Sequence, residues 1–169
     1  NGAQIGNFDG GAATLATVSG IGWDLTLVNH DVERYDNGGK LISITTRAGV
    51  VTTLSYDTCG LLATVTDAFG HALTFTNDCT KKRPTGVTLP DSSQITYAYD
   101  NWDRLASVTY PDLTTRVYSY GDVRNQWLLT SIQDESGQTF ATYAYDASGR
   151  VTSTEHAGRA GRYVFTYGS

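Results

Sequence analysis

Apolar and polar residues alternate along short stretches of the chain, and the stretches recur. Val50-Val51-Thr52-Thr53-Leu54-Ser55-Tyr56 and Gln94-Ile95-Thr96-Tyr97-Ala98-Tyr99 carry β-branched and aromatic side chains with a partial two-residue period, the pattern of a strand with one covered face. Turn residues punctuate them. Asp36-Asn37-Gly38-Gly39-Lys40-Leu41, Asp57-Thr58-Cys59-Gly60-Leu61-Leu62 and Asp146-Ala147-Ser148-Gly149-Arg150-Val151 each follow a tyrosine. Aspartate can accept hydrogen bonds from the turn backbone, and glycine takes positive φ cheaply. In Asp100-Asn101-Trp102-Asp103 an aspartate stands where the glycine would be; it enters that conformation less readily than glycine but better than most residues. Half a period on, the chain turns again at Asp67-Ala68-Phe69-Gly70, Pro90-Asp91-Ser92-Ser93, Pro111-Asp112-Leu113-Thr114 and Asp134-Glu135-Ser136-Gly137. Such short turns oblige neighbouring strands to run antiparallel, so the predicted unit is two strands and two turns.

The unit is periodic. Tyr-Asp stands at Tyr35-Asp36, Tyr56-Asp57, Tyr99-Asp100 and Tyr145-Asp146, with degenerate copies at Asn77-Asp78, Tyr120-Gly121 and Tyr167-Gly168. Successive spacings are 21, 21, 22, 21, 25 and 22 residues, a beat that unrelated loops would not keep. Two residues earlier, Leu54, Phe75, Tyr97, Tyr118, Tyr143 and Phe165 form a second column, which the two-residue period places on the same strand face. Nine of the 11 tyrosines fall in these two columns, so Tyr35, Asp36, Gly39, Tyr56, Asp57, Gly60, Tyr97, Tyr99, Asp100, Tyr118, Tyr120, Tyr143, Tyr145, Asp146, Gly149 and Tyr167 are read as the repeat's structural residues.

The expected organisation is a weakly patterned segment over residues 1–20, containing Gly10-Gly11, followed by about six repeats of roughly 21–25 residues over 21–169. A hairpin from Trp23 to Tyr35 is expected to turn at Asn29-His30-Asp31, and the longest interval contains Gly121-Asp122-Val123-Arg124-Asn125-Gln126 as an enlarged loop. One detail resists simple alternation: Leu41 and Ile44, Leu62 and Val65, and Leu105 and Val108 are three apart. They share a face only across a bulge; otherwise the sheet is covered on both sides.

Composition narrows the function. Twelve basic against 17 acidic side chains leave a formal charge of −5, which disfavours the basic face that nucleic-acid binding needs. No apolar run approaches the roughly 20 residues of a membrane span, and the start lacks the pattern of a signal peptide. Methionine is absent, so the chain is expected to be a piece of a longer polypeptide. His30, His71 and His156 fall in predicted turns or a polar linker, and no third group is placed to orient them for catalysis. Neither a nucleophile elbow, a phosphate loop nor a paired metal-ligand motif appears, so no cofactor, metal or catalytic residue is expected.

Cys59 and Cys79 lie in turns of adjacent repeats. Two strand spacings put matching positions about 9.6 Å apart, beyond disulfide reach unless the Asp78-Cys79-Thr80-Lys81-Lys82 loop leans over; a bridge and free thiols both remain open. Trp23, Trp102 and Trp127 are candidate ligand-facing aromatics, against the stronger reading that aromatics in register pack a sheet. Lys81-Lys82-Arg83 reads as a solvated loop.

The strongest stretches, Tyr110-Pro111-Asp112-Leu113-Thr114-Thr115-Arg116 and Tyr143-Ala144-Tyr145-Asp146-Ala147-Ser148-Gly149-Arg150, together with the recurring Tyr-Asp-x-x-Gly-Arg/Lys-Leu pattern, closely resemble the bacterial Rhs and YD-repeat family over about residues 20–169. The resemblance implies an all-β fold of tandem antiparallel hairpins in one curved, spiralling sheet. It further implies a shell that encloses a C-terminal toxin or effector domain until delivery, as in insecticidal toxin complexes, type VI effectors and teneurins. The implied partners are the rest of the parent chain and the enclosed domain, and the implied location is secreted or on the bacterial surface. About 14 strands of ~7 residues would cover roughly 1,500 Å² per face, against roughly 6,000 Å² for a shell around a small domain. One such strip is therefore part of a wall. The alternative is a cell-surface adhesion module whose aromatic face binds glycans.

Overall fold

Strand-forming Thr, Val and Tyr runs closed by Asp and Gly turns give an all-β chain. The computed structural model describes residues 3–6, 12–159 and 161–168; the Gly10-Gly11 pair of the weakly patterned start lies outside them. Two units are resolved, Asn1–Ser92 and Ser93–Ser169. The first holds β1 (Ala3–Gly6), β2 (Ala12–Val18), β3 (Gly22–Thr26), β4 (Val32–Asp36), β5 (Leu41–Thr45), β6 (Val51–Tyr56), β7 (Leu62–Thr66), β8 (Ala72–Asp78) and β9 (Arg83–Thr88). Each pairs antiparallel with the next. The second holds β10 (Gln94–Tyr99), β11 (Leu105–Thr109), β12 (Thr115–Ser119), β13 (Ser131–Gln133), β14 (Thr139–Tyr145), β15 (Val151–His156), a single 3-10 turn (Ala157–Arg159) and β16 (Tyr163–Val164). These strands also pair antiparallel in chain order. Among the described residues no helix is long and apolar enough to cross a membrane.

One hairpin geometry serves both kinds of turn. The Asp36 amide donates to the Lys40 carbonyl at 2.9 Å and the Gly39 amide to the Asp36 carbonyl at 3.0 Å. The same pair of bonds closes residues 57–61, 100–104 and 146–150, and also the half-period turns 46–50, 67–71, 110–114 and 134–138. This is the three-residue loop whose last residue adopts positive φ. Gly39, Gly60 and Gly149 occupy it at 83°, 81° and 77°, and Asp103 does so at 63°. Leu113 is forced to 67° in the equivalent place.

Register then explains the residues three apart. Tyr35 faces Leu41 while Arg34 faces Ser43, so Ile42 is an extra residue. The same bulge recurs where Tyr56 faces Leu62, Tyr99 faces Leu105 and Tyr145 faces Val151. Because the bulge absorbs one residue, Leu41 and Ile44 return to one face, opposite Tyr35 and Glu33. In β7 the matching pair, Leu62 and Val65, lies opposite Tyr56 and Leu54. Within each unit the tyrosine columns and the Leu and Val columns therefore build one face.

That face is only half covered. In β6, Thr52, Leu54 and Tyr56 are half-buried while Val51, Thr53 and Ser55 are exposed, and β10 repeats the alternation with Ile95, Tyr97 and Tyr99. Val87, Val108 and Ala141 are buried, but among the described residues no large side chain is fully buried. The substantial contacts of every strand are with its neighbours in sequence. Most domains bury a sheet face against a second layer; within each unit here, the hydrogen-bond ladder and contacts between adjacent strands carry the fold.

Candidate functional site

The site is the fastening between successive Tyr-Asp turns, and it starts from one carboxylate. Asp100 Oδ1 accepts from the backbone amides of Trp102 and Arg104 at 2.9 and 3.0 Å, while Oδ2 accepts from Arg104 Nε at 2.7 Å. Asp146 holds Ser148, Arg150 and the Arg150 guanidinium in the same way. In Asp36 and Asp57 one oxygen likewise takes the amides two and four residues on. The motif's Asp thus caps its own turn and aims the residue that ends it. The Arg104 guanidinium holds the Asp100 carboxyl below the usual carboxylate range, against the opposing effect of desolvation. For Asp146 the Arg150 backbone amide is the main cause of the same shift.

The aimed cation reaches the next repeat. Lys40 lies 4.6 Å from the Tyr56 ring centre, Arg104 4.5 Å from that of Tyr120 and Arg150 4.4 Å from that of Tyr167. The tyrosine answers in the opposite direction. Tyr56 donates to the Leu41 carbonyl at 2.8 Å, Tyr120 to Leu105 at 3.0 Å and Tyr167 to Val151 at 2.8 Å, each acceptor being the residue after the cation. Each contact is worth on the order of 1 kcal/mol, and together they fasten one hairpin to the next. Burial raises the Tyr120 hydroxyl above its ordinary pKa. Every residue type in Tyr-Asp-x-x-Gly-Arg/Lys-Leu has a mechanical task in this clamp.

Two other arrangements of the turns occur among the described residues. The enlarged loop of residues 121–128 replaces the tight turn: Asp122 binds the Arg124 amide and guanidinium, and Arg124 reaches the Tyr145 carbonyl at 2.8 Å. Arg124 pushes the Asp122 carboxyl down to about 2. Tyr145 donates to the Leu129 carbonyl at 2.7 Å, and Arg104 bonds the Gln126 carbonyl. In the second arrangement Leu61 stands in the cation's place and Asn77 in the tyrosine's. Asn77 still donates to the Leu62 carbonyl and to Asp57, both at 2.9 Å. Here Cys59 and Cys79 are joined, with Cα atoms 5.5 Å apart.

The strand-spacing distance between matching positions is not reached because the second turn is not matched. Asp78 pairs with Arg83 across a four-residue loop, Lys82 takes φ 54°, and Lys82 Nζ donates to the Cys59 carbonyl at 2.9 Å. Lys82 is thus exposed, as a loop lysine is expected to be, and also tethers one turn to the other. With their sulfurs joined, Asp57, Cys59 and Cys79 lie close together as a disulfide and its neighbour.

The remaining candidates are dispersed. Trp23 is half-buried on β3, facing Tyr35 across the ladder. Trp102 and Trp127 are 55% and 59% exposed, in the 100–104 turn and the enlarged loop. His30 is exposed at φ 68°, His71 pairs with Asp67 at 2.9 Å within one turn, and His156 meets the Phe140 ring edge-on. Tyr35 donates to Glu33 at 2.6 Å. Tyr97, Tyr118 and Tyr143 sit half-buried opposite Val108, Ile132 and Thr154. Sequence reasoning missed the Asp24 and Arg34 pair, two 2.8 Å bonds between directly opposed residues of β3 and β4. It also missed Gly22, where a Cβ would stand 2.2 Å from the Tyr35 carbonyl oxygen.

Hairpins fastened turn to turn, with no second layer among the described residues of either unit, define a tandem β-repeat protein whose repeated residues are mechanical. The family model described as the Teneurin YD-shell matches residues 26–169, and the chain belongs to that family. It is 35% identical over 136 residues to the double-stranded DNA deaminase toxin A of Burkholderia cenocepacia (strain H111), across 76% of this chain and 8% of that protein. In fold it is similar to a crystal structure of TcdB2-TccC3, with a TM-score of 0.59 at 15% identity over 91% of this chain and 10% of that one. The Photorhabdus luminescens Tc holotoxin pore gives 0.57 at 16% identity over 95% of this chain and 9% of that one. The chain spans a tenth or less of the length of these relatives.

Proposed function

We propose that this YD-shell segment is a stretch of wall, over residues 21–169, that separates an enclosed C-terminal toxin or effector domain from its surroundings and does so by exclusion rather than catalysis. The observation that carries the reading is where the chemistry of the repeat is spent. The Asp carboxylates cap turns and the Arg and Lys side chains at turn ends reach the next hairpin. The tyrosine hydroxyls satisfy backbone carbonyls. Side chains committed to fastening hold a surface together and leave its half-covered aromatic face for contact with whatever lies inside. The partners on this reading are the rest of the parent chain and the enclosed domain. Export to the cell surface or beyond is supported by the joined cysteines, since such bonds persist in oxidising compartments, and by the likeness to part of a holotoxin pore.

Limited proteolysis of the intact parent polypeptide tests it. A downstream domain that resists protease in the native protein, and is cut once Asp100→Ala and Asp146→Ala open the clamps, is the expected result. A downstream domain equally sensitive in both proteins would remove the container reading. Exposure of Trp102 and Trp127 favours a second reading, adhesion to glycans. Saturable binding on a glycan array, lost in Trp102→Ala and Trp127→Ala, would put adhesion in its place.

A further inference from the structure

Three described hairpin junctions use a cation and a tyrosine from consecutive repeats: Lys40 with Tyr56, Arg104 with Tyr120 and Arg150 with Tyr167. At the junction between residues 57–61 and 78–82 both partners change together. Leu61 carries no charge, and Asn77 keeps the carbonyl contact to Leu62 but has no ring to receive a cation. The same junction holds the disulfide, between Cys59 in one turn and Cys79 in the next. We propose that this disulfide is a redox-controlled substitute for the missing clamp, so that the junction is tight in an oxidising compartment and loosens when it meets a thiol reductant.

Three features support the assignment. The disulfide spans the same pair of turns that the cation spans elsewhere, and it occurs where the cation and the ring are both lost. Lys82 donates to the Cys59 carbonyl from the second turn back to the first, so the two loops are already in contact and the cysteines need little rearrangement to join. Cys79 is exposed and Cys59 half-buried, which leaves one sulfur open to an attacking thiolate. The step balances as ordinary exchange. A thiolate attacks Cys79 Sγ, the Cys59 thiolate leaves and takes a proton, and a second reductant thiol resolves the mixed disulfide. Two protein thiols and one oxidised reductant result. Among the described contacts between the two turns, the Asn77 and Lys82 hydrogen bonds then remain. The inference does not rest on the container reading, since it concerns one junction of the sheet whatever that sheet encloses.

Amide hydrogen exchange on the full chain, with and without excess dithiothreitol, provides the test, intact mass reporting reduction. Reduction is expected to speed exchange about tenfold or more at the amides of residues 57–61 and 78–82, and to leave those of residues 100–104 unchanged. Cys59→Ser with Cys79→Ser should show the fast rates whether or not reductant is present. Adding Leu61→Lys with Asn77→Tyr to that variant should restore slow exchange by rebuilding the clamp. Reduction confirmed by mass with unchanged exchange at residues 57–61 and 78–82 would overturn the proposal, as would failure of the Lys and Tyr pair to restore protection in the folded serine variant. Because the reductant arm needs no substitution, it reads the same bond in the unaltered chain.

Discussion

Within each unit the two edges of the sheet are built mostly from the same three-residue turn yet differ in what the turns do. On the Tyr-Asp edge, turns reach one another through Lys40, Lys82, Arg104 and Arg124. On the half-period edge the same backbone bonds close the turns, but several tips simply project. Phe69 and Leu113 are each 82% exposed there. That edge is not wholly unlinked, since the Arg47 amide donates to Asp31 at 2.8 Å. Its loops also accept strained residues at positive φ, including His30, Ser92 and Leu113. The difference teaches that a hairpin turn is a local solution, set by a few backbone angles, whereas fastening is a property of neighbours and needs the right side chain in two repeats at once.

Substitutions should separate the two edges. The largest effect is expected for Gly22→Ala on the fastened edge, where φ is 151° and the new Cβ would meet backbone at 2.2 Å. Neither the Tyr35 carbonyl nor the Asp36 backbone can yield without breaking the β3 and β4 ladder, so a loss of about 3 kcal/mol or more is expected from urea denaturation. A variant within ~1 kcal/mol of the parent would show that the edge can give way.

Acid should act next. The carboxyls of Asp57, Asp100, Asp122 and Asp146 all lie below the ordinary carboxylate value in the folded chain. A depressed folded pKa means that the unfolded chain binds the proton first, so the contribution is complete above about pH 4 and falls as pH drops through the folded values. With Asp122 at about 2, part of it should survive to that pH. Thermal melts between pH 7 and 2 should show a midpoint that declines below pH 4; a flat profile would mean that capping and pairing contribute nothing.

Tyr120→Phe removes one hydroxyl and leaves the Leu105 carbonyl without that donor. A cost of about 1 kcal/mol is expected from denaturation, and a neutral result would make the ring alone responsible for the clamp. The smallest change belongs to the other edge and has the opposite sign. Leu113→Gly relieves a leucine at φ 67°, a strain of roughly 1–2 kcal/mol, set against the roughly 0.5–1 kcal/mol entropy cost of glycine. A net gain of about 0.5 kcal/mol is expected, and a loss would show that the exposed side chain is holding something.

What could be read from the sequence was what repeats. The Tyr-Asp period, the alternation of turns and the choice between a bulge and two-sided burial at Leu41 and Ile44 all follow from spacing, because a displaced residue is visible against the other copies; the register decides for the bulge. Features that occur once were hidden. The 46–50 turn has Gly49 but no aspartate to announce it. Gly22 carries no signal beyond the Gly20-Ile21-Gly22 cluster, and its necessity arises from a carbonyl 13 positions away in the chain. Asp24 and Arg34 are recognisable as partners only once the register is known. The Cys59 and Cys79 question turned on one added loop residue after Asp78, which moved the second cysteine out of the position that regular strand spacing assigns to it.

Because strands of the first unit touch chiefly their sequence neighbours, a pulling force along the chain would find no keystone and would peel the sheet like tape. Each Tyr-Asp period would release about 21 residues, roughly 75 Å of contour at full extension. The covalent link across a sequence separation of 20 would withhold one parcel of about 70 Å, a missing step in the sawtooth that reappears when the sulfurs part.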